Sequence, residues 1–350
     1  MKNVWDKSFW YSFFRPYVQW AVRTSYSRIT VNGLDNVPDS RKSSVIIAAN
    51  HCNTMMDSLV LLQSRKDPDF FVARADIFSN PFIARILTNL RIMPIYRKRD
   101  GGNSAERNEA VFDNVVEGLG HGMAFSIHPE GTHRARRSLL PIKKGAFRIA
   151  QQAAETNPDR DVFIVPAGLE YYDYFNLMRP VTLTYGKPMR IKGGEDLDNL
   201  SKELHDRIAG LITWFPDDEN LAAAEQAFYD GRRRSYGTRD KVLAAALLPV
   251  AALSGFLCSP ILAASAWFCS RIKDAAWLNT ARFGCKLVLT PFTTAGAAVA
   301  GFIHLPWLWA LILVAATLYA HPVFYRILVY YKDMKAFFAR KQGNREPLAS

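Results

Sequence analysis

Apolar and polar positions change rhythm twice along this chain. Between Val45 and Arg239, short runs rich in β-branched and aromatic residues alternate with longer stretches whose apolar positions recur every three or four residues. The short runs predict strands over Val45–Ala49, Phe70–Arg74, Ile92–Ile95, Ala124–His128, Val162–Pro166 and Val181–Tyr185. The longer periodic stretches predict helices over Met56–Gln63, Phe82–Leu90, Ala105–Leu119, Gly145–Glu155 and, later, Asp196–Trp214. Such alternation predicts an α/β fold, a mixed β-sheet flanked by helices. A charged helix over Glu219–Tyr236 and the segment GRRRSYGTRDK close this part.

The two ends have other rhythms. Near the N-terminus Trp5, Phe9, Trp10, Phe13, Phe14, Tyr17 and Trp20 recur at roughly helical intervals among basic residues, and Asp6, Lys7 and Arg15 interrupt any apolar core. That excludes a secretory signal and predicts a helix over residues 1–30 lying in a membrane interface, where Trp and Tyr sit at headgroup depth. After Arg239 the chain becomes apolar: Val242–Ser270 and Leu287–Ala320 contain no charged residue. A membrane span needs roughly 20 such residues. The first stretch suits one tilted span or a re-entrant hairpin broken near Pro260, and the second suits two short spans turning at His304–Pro306. Arg232–Arg234 and Lys241 precede the stretches, Arg271, Lys273, Arg282 and Lys286 lie between them, and Arg326, Lys332 and Lys335 follow. Basic flanks throughout predict two hairpins entering from the cytoplasmic side. The expected organisation is an interfacial segment 1–30, an α/β domain 31–240 and membrane-embedded helices 241–350, with the site on the cytoplasmic face.

Composition adds a partner class. The formal net charge is +12, which draws the chain to anionic surfaces or substrates. No nucleic-acid module is visible and the basic residues cluster beside apolar sequence, so the expected anionic partner is the lipid membrane, not nucleic acid. Four cysteines, Cys52, Cys258, Cys269 and Cys285, and seven histidines show no metal-ligand spacing, so no metal is expected. Neither GxSxG nor a nucleotide-binding glycine loop is present, and no cofactor is expected.

The candidate chemistry begins where the first strand ends. Asn50 and His51 follow Val45–Ala49 directly, where α/β sheets place reactive groups, and Asp57 follows six residues later. On a regular helix, six steps of about 100° put the two side chains well apart, so they meet only if the residues between them form a loop that folds back. Arg97, Lys98 and Arg99 come just after a later strand and suit a phosphate; a solvated turn is the plain alternative. Pro129, Glu130, Gly131 and Thr132 form a sharp turn ahead of Arg134, Arg136, Arg137, Lys143 and Lys144. A last run ends at Val165 and Pro166, with small residues following.

Taken in this order, from Val45 to Lys187, the blocks resemble the glycerophospholipid acyltransferase superfamily, which includes lysophosphatidic acid and glycerol-3-phosphate acyltransferases. That family carries Asn-His…Asp, an arginine-bearing block, Pro-Glu-Gly-Thr and a Val-Pro block. This chain departs from it in a His-to-Asp spacing longer by one residue, in His128 where Phe is usual, and in His133 after the Thr. The resemblance implies transfer of an acyl group from acyl-CoA or acyl carrier protein to a hydroxyl of glycerol-3-phosphate or a lysophospholipid. His51 would be the general base and Asp57 its partner. Asn50, Arg97, Lys98, Arg99, Glu130, Gly131, Thr132, Lys143, Lys144, Val165 and Pro166 would form the substrate side of the site. A lyso-aminolipid acceptor, a thioester-independent phospholipid transacylase, and a non-catalytic membrane protein that binds anionic lipid are the alternatives. Cys52 adjoins His51, but adjacent residues rarely direct their side chains at one another, so a Cys–His dyad is not expected.

Overall fold

The structure is a computed structural model, and it describes residues 4–6, 9–67, 69–96, 104–232 and 234–341. Its chain groups into two compact units, Met1–Gln19 with Ile29–Glu170 and Val181–Asp217, and Trp20–Arg28 with Tyr171–Pro180 and Asp218–Ser350.

The first unit is built on eight strands, β1 (Ile29–Asn32), β2 (Ser44–Ala49), β3 (Asp69–Arg74), β4 (Ile92–Ile95), β5 (Ala124–Ile127), β6 (Val162–Tyr171), β7 (Val181–Tyr185) and β8 (Met189–Ile191). They form one sheet in the order β1-β7-β6-β2-β5-β3-β4, with β8 added beside β6. β2 runs parallel to both β5 and β6, while β8 pairs antiparallel with β6, so the sheet is mixed as expected. β2 is central, and all six of its residues are buried. A strand covered on both faces reads as a continuous apolar run, not as an alternation, which is what SVIIAA shows. Beneath it, Ile46, Ala48, Phe70, Phe125, Phe147, Ile149 and Ile164 share one apolar cluster.

Helices α2 (Met55–Ser64), α3 (Pro81–Asn89), α4 (Ser104–Gly120) and α5 (Gly145–Thr156) lie within a residue or two of their expected bounds. α6 (Leu197–Ala209) stops five residues short of the expected Trp214, with Gly210 as its C-cap. β6 is the larger correction. It does not end at Pro166 but continues to Tyr171. The proline removes one amide donor, yet its carbonyl still accepts from Gly186 N at 2.8 Å and the strand carries on. β1 and β8, four and three residues long, are too short to have left a periodic signal. All the N-terminal aromatics but Trp5 lie on α1 (Phe9–Arg23), shorter than the expected 1–30, where Phe9, Trp10, Phe13 and Phe14 are exposed.

The second unit is helical. α7 (Leu221–Gly231) is followed by α8 (Thr238–Leu257), α9 (Ser259–Cys269), α10 (Leu278–His304) and α11 (Trp307–Lys341). The break before α9 falls at Cys258, ahead of Pro260, and that between α10 and α11 at Leu305–Pro306; prolines at both breaks suit a helix's first turn. α8 lies mainly along α11, and α9 along α10, so Val242–Ser270 does not fold into a self-contained hairpin. α11 also runs well past Ala320, and Arg326, Lys332 and Lys335 sit on the helix instead of flanking it. Among the described residues three helices are long and apolar enough to cross a membrane: Thr238–Leu257, Ala275–His304 and Trp307–Arg340.

Candidate active site

The C-terminal ends of β2, β5 and β6 converge on residues 50–54 and 128–134. Asn50 fixes the first loop: its side-chain Oδ1 accepts from Leu169 N at 2.7 Å and its Nδ2 donates to Leu169 O at 3.0 Å. Both ends of the amide are thus spent on β6. Asn50 thereby braces the loop against β6.

Residues 51–54 then fold back sharply enough that Thr54 takes a positive φ of 48°, a costly conformation for a threonine. The turn delivers Asp57, in the first turn of α2, to His51. Asp57 Oδ2 accepts from His51 Nδ1 at 2.8 Å, Cys52 N at 2.9 Å and Asn53 N at 2.8 Å. The carboxylate is fully buried. Burial alone would raise its pKa; the hydrogen bond from His51, the charges of His51 and His128 and the Asn53 amide outweigh it and hold the acid below its usual range. An ionised carboxylate can only accept, so in the neutral ring Nδ1 carries the proton and Nε2 keeps a lone pair. The His51 side chain retains 19% of its exposure, and its Nε2 has no hydrogen-bond partner among the described residues.

Glu130 locks the second loop to the first. Its Oε1 accepts from His51 N at 2.7 Å and its Oε2 from Leu140 N at 2.8 Å. Arg134 N donates to His51 O at 3.0 Å, and Lys143 N to Pro129 O at 2.9 Å. Glu130 is 3% exposed, and burial raises its pKa against the pull of the two amides. It therefore scaffolds the loop, with one amide on each oxygen. Gly131 has φ 69°, and a Cβ there would sit 2.5 Å from Lys143 Nζ, so only glycine lets that ammonium lie against the turn. Thr132 is exposed beside it.

The remaining assigned residues spread out. Lys144 donates to Asp198 Oδ2 on α6 at 2.8 Å. Val165 and Pro166 are buried in β6, in register with Ile47 and Ala48 of β2, and support the strand that carries His51. Arg97, Lys98 and Arg99 lie outside the described residues. Cys52 is buried, and desolvation together with the nearby Asp57 and Glu130 carboxylates raises its thiol well above the usual value, which removes it as a nucleophile.

The structure adds one residue to the site. His128 stacks on His51 with ring centroids 4.2 Å apart and planes 8° apart. Its Nδ1 lies 3.2 Å from the carbonyls of Ala49 and Asn50, and its Nε2 3.1 Å from Ser58 Oγ. Carbonyls only accept, so Nδ1 donates and Nε2 accepts from the serine. Burial, then the His51 charge, lower its pKa to about 4. His128 is a neutral, fixed plate against one face of the base, and His133 meets the His51 ring edge-on at 5.6 Å. The sequence signal was the substitution itself, a histidine directly before Pro-Glu-Gly-Thr.

An imidazole held at Nδ1 by a buried carboxylate and open at Nε2, mounted where parallel strands end, defines a site that can accept a proton from a hydroxyl. Residues 28–170, which contain all of this geometry, match the family model described as Acyltransferase. The chain is 30% identical over 167 residues to glycerol-3-phosphate O-acyltransferase 2 of Saccharomyces cerevisiae, covering 43% of this chain and 22% of that protein. It is 33% identical over 81 residues to glycerol-3-phosphate O-acyltransferase 1 of the same yeast, covering 23% of this chain and 11% of that one. It thus spans well under a third of the length of the curated relatives it matches. The crystal structure of the 1-acyl-sn-glycerophosphate acyltransferase of Thermotoga maritima aligns with a TM-score of 0.43 at 17% identity, covering 65% of this chain and 83% of that one. The four motifs lie within residues 28–170, the segment that matches this model.

Proposed function

We propose that the chain is a membrane-bound O-acyltransferase that moves a fatty acyl group from an acyl thioester to a hydroxyl of glycerol-3-phosphate or lysophosphatidate. The observation that carries this reading is the His51–Asp57 pair with its open Nε2, inside the segment similar to acyltransferases. His51 Nε2 takes the acceptor's hydroxyl proton as its oxygen attacks the thioester carbonyl. Asp57 keeps the proton on Nδ1 and stabilises the imidazolium. The tetrahedral intermediate collapses, the C–S bond breaks, and the departing thiolate recovers the proton from His51. No acyl-enzyme is needed, since the acceptor is itself the nucleophile. Arg97, with Lys98 or Arg99, takes the acceptor phosphate, and the Lys143 ammonium against Gly131 faces donor or acceptor phosphate. Residues 1–30 rest in the interface, 31–240 carry the reaction from the cytoplasmic face, and 241–350 hold the chain in the bilayer.

The test is a mass-spectrometric product assay on membranes containing the wild type or His51→Ala. Acyl-CoA or acyl carrier protein is the donor; glycerol-3-phosphate, lysophosphatidate and a lyso-aminolipid are offered separately. A new ester formed by the wild type and lost in His51→Ala supports the reading and names the acceptor. Equal product from both sinks the His–Asp mechanism. Product formed without any thioester makes the chain a transacylase.

A further inference from the structure

The helical unit contains a cavity of about 230 Å³ lined by α9, α10, α11 and Asn176. Its walls divide by chemistry. Leu262, Ala266, Leu328 and Val329 are apolar, whereas Arg282, Lys332, Tyr325, Asn176 and Ser265 bring cations and hydrogen-bonding groups. Ser265 is 3% exposed, and its Oγ has no hydrogen-bond partner among the described residues. That is unusual for a hydroxyl on an apolar helix, where the serine or threonine normally bonds back to a carbonyl one turn earlier. Ser254, Thr290, Thr293 and Thr317 in this unit all do so, at 2.6, 2.6, 3.1 and 2.8 Å, and Thr294 on α10 is the other buried hydroxyl of these helices left without a partner among the described residues. A buried hydroxyl left without a partner costs free energy unless something in the cavity meets it.

The charge balance identifies what meets it. Neither Arg282 nor Lys332 forms an ion pair among the described residues; Arg282 donates to the Phe175 carbonyl and Asn279 Oδ1 and also meets the Cys269 thiol. The nearby carboxylates are already engaged: Asp333 accepts from Arg179 at 2.5 and 2.6 Å, and Asp173 accepts from Asn176 at 2.9 Å and faces Arg179 at 3.5 Å. The site therefore offers two uncompensated cations, a spare hydroxyl donor and an apolar wall. Just beyond Ser265 and Ala266 on α9, Trp267 and Phe268 are exposed, and Arg271 stacks over the Trp267 ring at 3.9 Å. Exposed aromatics beside arginine mark headgroup depth.

We propose that this cavity binds the phosphate headgroup of an anionic glycerolipid, with Arg282 and Lys332 on the phosphate, Ser265 on one of its oxygens or a glycerol oxygen, and the start of the acyl chains against Leu262, Leu328 and Val329. The volume takes a headgroup and not a whole lipid, so the chains continue over the apolar helix surface. An organic phosphate is the shared chemistry; the apolar wall selects lipid over free glycerol phosphate. The site draws no residue from the His51 loop, and it rests on the proposal above only in that the helices lie in a membrane.

Native mass spectrometry of the detergent-purified full chain tests it, with phosphatidic acid, phosphatidylcholine and diacylglycerol titrated separately and glycerol-3-phosphate as competitor. The expected result is preferential retention of one phosphatidic acid. Lys332→Gln, and Ala266→Leu, which fills the cavity, each weaken it about tenfold, the scale of one charge-assisted hydrogen bond. Both variants should keep the wild-type elution profile, and His51→Ala should keep wild-type retention, so loss of the acyltransfer reading leaves this result readable. Equal retention of diacylglycerol, unchanged retention in both variants, or retention lost in His51→Ala would overturn the proposal. Displacement by equimolar glycerol-3-phosphate would assign the phosphate site to a soluble ligand instead.

Discussion

At the residue scale, Asp57 does two jobs with one oxygen, closing the 51–54 loop through two amides and orienting His51. Asp57→Asn keeps the size but can place an NH₂ where an acceptor is needed, so kcat in the product assay should fall by about 10³–10⁴ through the wrong imidazole tautomer. His128 makes a separate, pH-dependent prediction. The folded chain keeps it neutral down to about pH 4, whereas an unfolded histidine protonates near pH 6.5. Between those values the unfolded chain binds the extra proton, so this residue's contribution makes stability fall as pH drops from about 6.5 to 4, by up to about 3 kcal/mol. His128→Phe should keep the stack on His51 and flatten that slope; thermal unfolding of both proteins across the window measures the difference. The His–Asp pairing was legible as a condition, since six residues can bring the two together only through a folded-back loop. The scaffolding roles of Asn50 and Glu130 were not legible, because their partners, Leu169 and Leu140, are set by how β6 and the second loop pack.

Elements were read well where packing agrees with local pattern. β2, β4 and β7 were legible as apolar runs, and the helices between them as 3.6-residue periods. β6 was cut short because proline is a strong local stop signal, and only the neighbouring strands show that one missing amide is tolerated there. In the helical unit the turn at Leu305–Pro306 was legible, but the partners of α8 and α9 were not, because uniformly apolar helices carry no mark of which face meets which neighbour. α10 and α11 approach closely at Gly301, where a Cβ would lie 3.2 Å from both Cα and Cβ of Ala310. Small residues at such crossings let helices pack without a hydrophobic driving force. Gly301→Leu should therefore wedge this hairpin apart and lower the melting temperature in detergent, whereas a leucine at the exposed position Val299 should leave it near wild type.

For the whole molecule, the contrast between the two units is chemical. The first buries its apolar residues around a sheet, while the second turns many outward, including Phe256, Phe292, Phe302, Trp307 and Trp309. Water makes such a surface costly and lipid does not. Membranes washed with high salt or alkaline carbonate should retain the chain, and detergent should release it. Release by salt alone would reduce the contact to surface charge, which the net charge of +12 would also support.

By itself the sequence determined the alternation of strands and helices, the apolar C-terminal stretches, and the residue types able to take a proton and hold the base, because these depend on local period and on which side chains can do the chemistry. Only the tertiary structure decided that Asn50 and Glu130 brace the site, that His128 lies against the base, and that Ser265, Arg282 and Lys332 line one cavity. Each of these depends on contacts between segments far apart in the chain, and no local pattern encodes their register.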